Sequence, residues 1–138
     1  MNNQMESYLL LDHLVFDHIE FTRHGFRKND SVPAFSLEVK TGNFSEMDDL
    51  YRVTLILQGE KEAEYSLSVT LSGFFKVNNT VPDYIDKNVL IQQNAVAILM
   101  PYLRSEVTLL TSQPETDAVV LPVINVANML QKNSSEKA

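Results

Sequence analysis

Three histidines, His13, His18 and His24, fall close together, and Asp12 and Asp17 stand immediately before the first two. Imidazoles and carboxylates could hold a metal ion only if they converged on one face. Successive side chains of a regular strand alternate faces, so His13 and His18, an odd number of residues apart, point to opposite sides. They read as surface or interface histidines. The chain has no cysteine, which removes disulfides, thiolate metal sites and thiol nucleophiles together. It has no Gly-x-Ser-x-Gly segment. Its glycines, Gly25, Gly42, Gly59 and Gly73, stand apart, so no loop is built to cradle a phosphate. Asp48-Asp49 and the Glu60, Glu62, Glu64 series solvate a turn and a strand start rather than form a carboxylate pair for proton transfer. The chain is therefore expected to be no enzyme and to need no metal or cofactor. A small ligand-binding or enzymatic α+β domain stays as a third reading, and it would require a closed cavity lined by His13 and Asp17.

The elements that carry these residues divide by period. Tyr65, Leu67, Val69, Leu71 and Phe75 alternate with Ser66, Ser68, Thr70 and Ser72, which predicts a strand with one dry and one wet face. Phe74 stands where that alternation asks for a polar residue. Tyr51, Val53, Leu55 and Leu57 repeat the pattern, and Gly59–Glu62 suits a hairpin between the two. Phe35, Leu37 and Val39 mark another strand. The stretch 8–22 is long and apolar on both sides: Val15, Ile19 and Phe21 share one, Leu14, Phe16 and His18 the other. The loop His24–Pro33 is long for a hairpin and predicts a crossover.

From Val81 the period becomes helical. Asp83 is the expected N-cap, with Asp86 in the first turn. Ile85, Val89, Val96, Leu99 and Leu103 mark one face, and Leu90, Ile91, Ala95, Ala97, Ile98 and Met100 fill much of the rest. A helix apolar on several sides needs more than one packing partner. Pro101 lacks an N–H and crowds the carbonyl of Ala97, so a kink or break is expected there, with a second helix to about Ser112. Val119–Ile124 reads as extended because of Pro122, and Asn125 could cap a short last helix. The expectation is an α+β domain over residues 1–132: a four-stranded antiparallel sheet with a crossover loop, a kinked or broken long helix and a short C-terminal helix. Residues 133–138 are a polar tail.

The chain has 138 residues, enough for one domain with a real core. Its net charge of −7 argues against a nucleic-acid partner. No segment approaches the roughly 18–20 apolar residues of a membrane span, and the start carries no basic, signal-like stretch. A cytoplasmic protein without membrane insertion is expected.

Four segments, in order, carry a family resemblance. Phe26-Arg27-Lys28 followed by Pro33-Ala34-Phe35-Ser36-Leu37-Glu38-Val39 resembles the crossover loop and second strand of the SecB family of export chaperones. Asp49-Leu50-Tyr51-Arg52-Val53 resembles the start of its third strand. Ala97-Ile98-Leu99-Met100-Pro101-Tyr102-Leu103-Arg104 resembles its Phe-Pro-Tyr-Ala-Arg motif. Leu121-Pro122-Val123-Ile124-Asn125 is similar to its Ala-Pro-Val-Asn-Phe segment with one residue inserted. The resemblance implies a tetramer built as a dimer of dimers with helices sandwiched between sheets. It also implies binding of non-native polypeptides in surface grooves without ATP. This chain has no tryptophan, and Ser31 or Val32 stands near the place where the family's crossover loop carries one. Members that dock on the motor SecA use acidic residues on the exposed sheet face; His18 or Thr22, and Ser68, match those positions here. SecA is thus a partner the resemblance allows and this face serves poorly. A SecB-fold module with one dedicated partner, such as an antitoxin, is the alternative.

Within that resemblance, apolar side chains that a core does not demand are the candidates for polypeptide contact: Phe26, Val32, Phe74, Leu121, Val123 and Met129. Val15, Val96, Ile98, Leu99 and Met100 are the candidates for the seam of a homo-oligomer, dimer or tetramer.

Overall fold

The computed structural model describes residues 9–27, 31–43, 50–77 and 86–122. Four strands, β1 (Leu9–Arg23), β2 (Ala34–Asn43), β3 (Leu50–Lys61) and β4 (Tyr65–Val77), precede one helix, α1 (Lys87–Thr111). The sheet is antiparallel with order β1-β4-β3-β2. β2, β3 and β4 form a meander, and the chain crosses from β1 at one edge to β2 at the other, as the long loop required. Val53, Leu55, Leu57, Leu67, Val69, Leu71 and Phe75 form the dry face. They meet Ile91, Ala95, Val96, Leu99, Met100, Leu103 and Val107 of α1, residues spaced to share one helical stripe.

Four local expectations change. The hairpin turn lies at Glu62–Glu64, with Ala63 in the left-handed region at φ 64°. Gly59 lies inside β3 instead, where a Cβ would come within 2.5 Å of the Phe35 ring. The helix starts at Lys87, capped by Asp86, whose carboxylate accepts from the Asn88 and Val89 N–H groups at 3.0 and 3.4 Å. Asp83 is therefore not its cap, and Val89, 46% exposed, is not on the buried stripe.

The helix is not broken: it continues through Pro101 to Thr111. Ala97 and Pro101 lie on its exposed side, so the carbonyl that loses its donor there faces water. Val96, Leu99, Met100 and Leu103 pin both flanks to the sheet. The expected last helix from Asn125 and the tail 133–138 lie outside the described residues.

The largest correction concerns β1. Its pairing with β4 shifts register between Leu11 and His13 and again between Phe16 and His18. Each bulge adds a residue and reverses the alternation beyond it. His13 pairs with Phe74, Val15 with Ser72 and His18 with Thr70, which places all three on the wet face. Leu14, Phe16, Ile19 and Phe21 take the helix-side face. His13 and His18 thus share a side, contrary to the simple count.

Candidate functional site

The crossover loop leaves β1 and is tied down at once. The N–H groups of His24 and Gly25 both donate to the Glu64 carbonyl, at 2.7 and 3.2 Å. Gly25 is required there, because a Cβ would sit 2.3 Å from the Ala63 carbonyl oxygen. Arg27 pairs with Asp117, and the Ser31 hydroxyl donates to Glu64 Oε2 at 3.2 Å. Phe26 and Val32, apolar and beside these anchors, stand 88% and 84% exposed. These contacts anchor His24, Gly25, Arg27 and Ser31, while the neighbouring Phe26 and Val32 side chains remain in water.

The anchors converge on a buried ion pair. Lys61 Nζ lies 3.0 Å from Glu64 Oε2 and 3.6 Å from Asp117 Oδ2. Burial disfavours the Lys61 ammonium, but the Glu64 and Asp117 carboxylates outweigh it and hold its pKa above the ordinary lysine value. Tyr65, stacked on Phe21, is buried beside this cluster, and burial raises its phenol pKa. Arg23 reaches across to the Pro114 carbonyl and Thr116. The end of β1, the β3–β4 turn and the loop after α1 are thereby joined.

After that loop, residues 117–122 run back along α1. Thr111, Thr108 and Arg104, on adjacent helical turns, bond the backbone of Val119 and Leu121. A groove of about 450 Å³ lies beside this strap, lined by Pro101, Arg104, Ser105, Thr108, Leu109 and Val120. Leu109 and Val120 put exposed apolar surface there.

The outer sheet face is different in kind. The bulges turn Asp12 and Asp17 onto it. Asp17 Oδ2 accepts from the buried Ser72 hydroxyl at 2.5 Å, and Ser72 Oγ also takes bonds from Arg52 at 3.3 Å and meets Thr54 Oγ1 at 2.9 Å. Asp12 bonds His13 at 2.6 Å, which with Lys76 lowers its pKa. An open trough of about 440 Å³ nearer the crossover end is lined by Ser36, Gln58, Ser66 and Ser68 with Glu20 and Glu60. His13 and Asp17 line neither this trough nor the groove, and no three His, Asp or Glu side chains among the described residues gather as a metal site.

The apolar candidates separate accordingly. Phe26 and Val32 are presented. Phe74 is on the wet face but covered: the His13 ring stacks on it at 4.4 Å and the Arg52 guanidinium lies 5.6 Å from its centroid. Leu121 is 3% exposed and belongs to the core. Val123 and Met129 lie outside the described residues. Of the seam candidates, Val96, Leu99 and Met100 are buried against the subunit's own sheet, while Val15 and Ile98 keep surface. Periodicity marked those three as apolar; it could not say that their own sheet would cover them. Missed entirely was the Lys61–Glu64–Asp117 junction, since Lys61 and Glu64 read as turn charges.

A family model described as preprotein translocase subunit SecB matches residues 10–137. The chain belongs to the SecB family. An uncharacterized protein, MJ0357, of Methanocaldococcus jannaschii is 31% identical over 130 residues, covering 88% of this chain and 82% of the relative. Among solved structures, the SecB-like chaperone Rv1957 of Mycobacterium tuberculosis, in complex with a ChAD peptide from the Rv1956 HigA1 antitoxin, superposes with a TM-score of 0.72. It is 11% identical, and the match covers 86% of this chain and 91% of that one. A protein of unknown function from Streptococcus agalactiae superposes at 0.50 with 12% identity, over 83% and 97% of the two chains. At such identities the structural likeness speaks for the fold: the SecB-like α+β architecture, with its crossover from β1 to β2. No helix among the described residues is long and apolar enough to cross a membrane.

Proposed function

We propose that this chain is an ATP-independent holdase, a non-enzymatic cytoplasmic chaperone that binds non-native polypeptides and keeps them from aggregating. The observation that carries the reading is the anchored crossover loop of a SecB-family chain, which holds Phe26 and Val32 out in water. Apolar side chains kept exposed at this cost in solvation are suited to meeting apolar segments of other chains. The groove beside the strap adds Leu109, Val120 and Pro101 to that surface. Binding the unfolded state shifts a client's folding equilibrium by mass action, so no chemistry is needed. The test is suppression of aggregation of a slow-folding client. No suppression at a stoichiometric excess of chaperone overturns the reading.

The holdase works as a dimer or tetramer. β1 is an edge strand, and Leu10, Val15 and Ile19 remain exposed on it at 63%, 42% and 44%. Covering such an edge with a second copy removes a site of uncontrolled pairing. Sedimentation at micromolar concentration tests this, and a well-behaved monomer overturns it. SecA is a partner that this sheet face serves poorly, because His18 or Thr22, and Ser68, stand at the positions that the resemblance matches to acidic residues.

A second reading is a SecB-fold module that serves one dedicated partner. What favours it is the antitoxin peptide held by the mycobacterial SecB-like chaperone. A pull-down from the host that recovers one protein supports it; a broad spread of clients supports the general holdase.

A further inference from the structure

The crossover is held by polar groups. None of residues 24–27, 31 and 32 belongs to the apolar core or to the side chains packed against it. The N–H groups of His24 and Gly25 and the Ser31 hydroxyl all end on Glu64, Arg27 ends on Asp117, and the His24 ring meets Ser66 Oγ at 3.0 Å. A segment tied in this way opens far more readily than a packed sheet.

The start of the strap has the same character. Asp117 is half-exposed and faces two cations, Arg27 of the crossover and, at 3.6 Å, Lys61 Nζ of the β3–β4 turn. Apolar packing begins only at Val119 and is complete at Leu121. Lys61 in turn offers one ammonium to two carboxylates, Glu64 on the turn and Asp117 on the strap. Lifting the crossover takes Arg27 away from Asp117. Lifting the strap takes Asp117 away from both Arg27 and Lys61. Each movement therefore costs less once the other has happened.

We propose that Asp117 is a charge latch between the crossover and the strap, so that the two open together while the sheet beneath them stays closed. Ion pairs this exposed are weak, which suits a latch that has to release. Each is a factor of about two to five in an opening equilibrium. The latch is a property of the subunit alone; its bearing on client contact, through Phe26 beside Arg27, rests on the holdase reading.

A coupling free energy is reciprocal, so the test runs in both directions. Asp117→Asn keeps the shape of the strap and removes its charge. Amide exchange at His24 and Gly25, on the crossover, should then quicken about two- to fivefold. Arg27→Gln, on the crossover, should quicken exchange at Val119, on the strap, by a similar factor. The two substitutions together should do less than the product of their separate effects, because they remove the same pair. Added salt should bring the native chain toward the variants by screening that pair. The amides of β3 and β4 should keep their protection throughout. If each substitution quickens only its own segment, crossover and strap open independently and the latch is overturned. Fully multiplicative effects, unchanged exchange in both segments, or equal quickening across the sheet overturn it as well. Reciprocal effects in a chain that fails to suppress aggregation remove the holdase reading and leave the latch standing.

Discussion

Lys61 Nζ lies 3.0 Å from Glu64 Oε2 across the β3–β4 turn, with both side chains almost wholly out of water. Because Glu64 also accepts from Ser31, and Lys61 also faces Asp117, this pair joins the turn to the crossover loop and to the strap. Removing the cation alone strands a buried carboxylate. Lys61→Met should cost about 3–5 kcal/mol of stability. Lys61→Met combined with Glu64→Leu should recover most of that loss, because no charge is left unpaired. Urea unfolding of the two variants checks both statements.

The same junction sets a pH dependence. The Lys61 pKa is raised in the folded state above its ordinary 10.5, and that of Tyr65 above its ordinary 10.0. In both cases the native state holds the proton more tightly than the unfolded chain. Their contribution is complete below about pH 10 and is lost as pH rises through the folded-state values. Thermal unfolding should therefore show stability falling above pH 10, with a shallower fall in the doubly substituted variant.

Phe26 and Phe74 should behave in opposite ways. Phe26 is 88% exposed, so Phe26→Ser, alone or with Val32→Ser, should change stability by no more than about 0.5 kcal/mol. It should weaken the suppression of client aggregation several-fold. Phe74 is covered by His13 and Arg52, so Phe74→Ala should cost roughly 3 kcal/mol and leave client binding per folded molecule unchanged. Chemical denaturation and an aggregation assay on the same samples separate the two.

Thr111 is buried and gives Val119 its acceptor. Thr111→Val keeps the shape but leaves that N–H without a partner, at a cost of about 1–3 kcal/mol. Exchange at the Val119 amide should speed up while the amides of β3 and β4 keep their protection. Equal acceleration throughout the sheet would contradict a local role.

Much of this architecture is legible residue by residue. Period two in Tyr65–Phe75 and Tyr51–Leu57 defines strands with one dry face, because pleating alternates side chains whatever the surroundings. The long polar stretch His24–Pro33 excludes a tight hairpin and so requires the crossover. The four family-like segments place the chain among SecB proteins, with the apolar loop residues Phe26 and Val32 in view.

Tertiary structure decided what depends on a neighbour. Two bulges in β1 moved His13 and His18 to one face, a choice made by pairing with β4 that no count along β1 contains. Phe74 looked stranded on a wet face until His13 and Arg52 folded over it. Val96, Leu99 and Met100 were apolar enough for a subunit seam, and their own sheet took them first. Pro101 could stay within one helix because its side of α1 faces water while the opposite side is held by the core. Lys61 and Glu64, charges in a turn by sequence, became a buried junction because the crossover loop and the strap close over them. Alternation and composition are properties of a segment by itself; burial, pairing partner and register belong to contacts between segments.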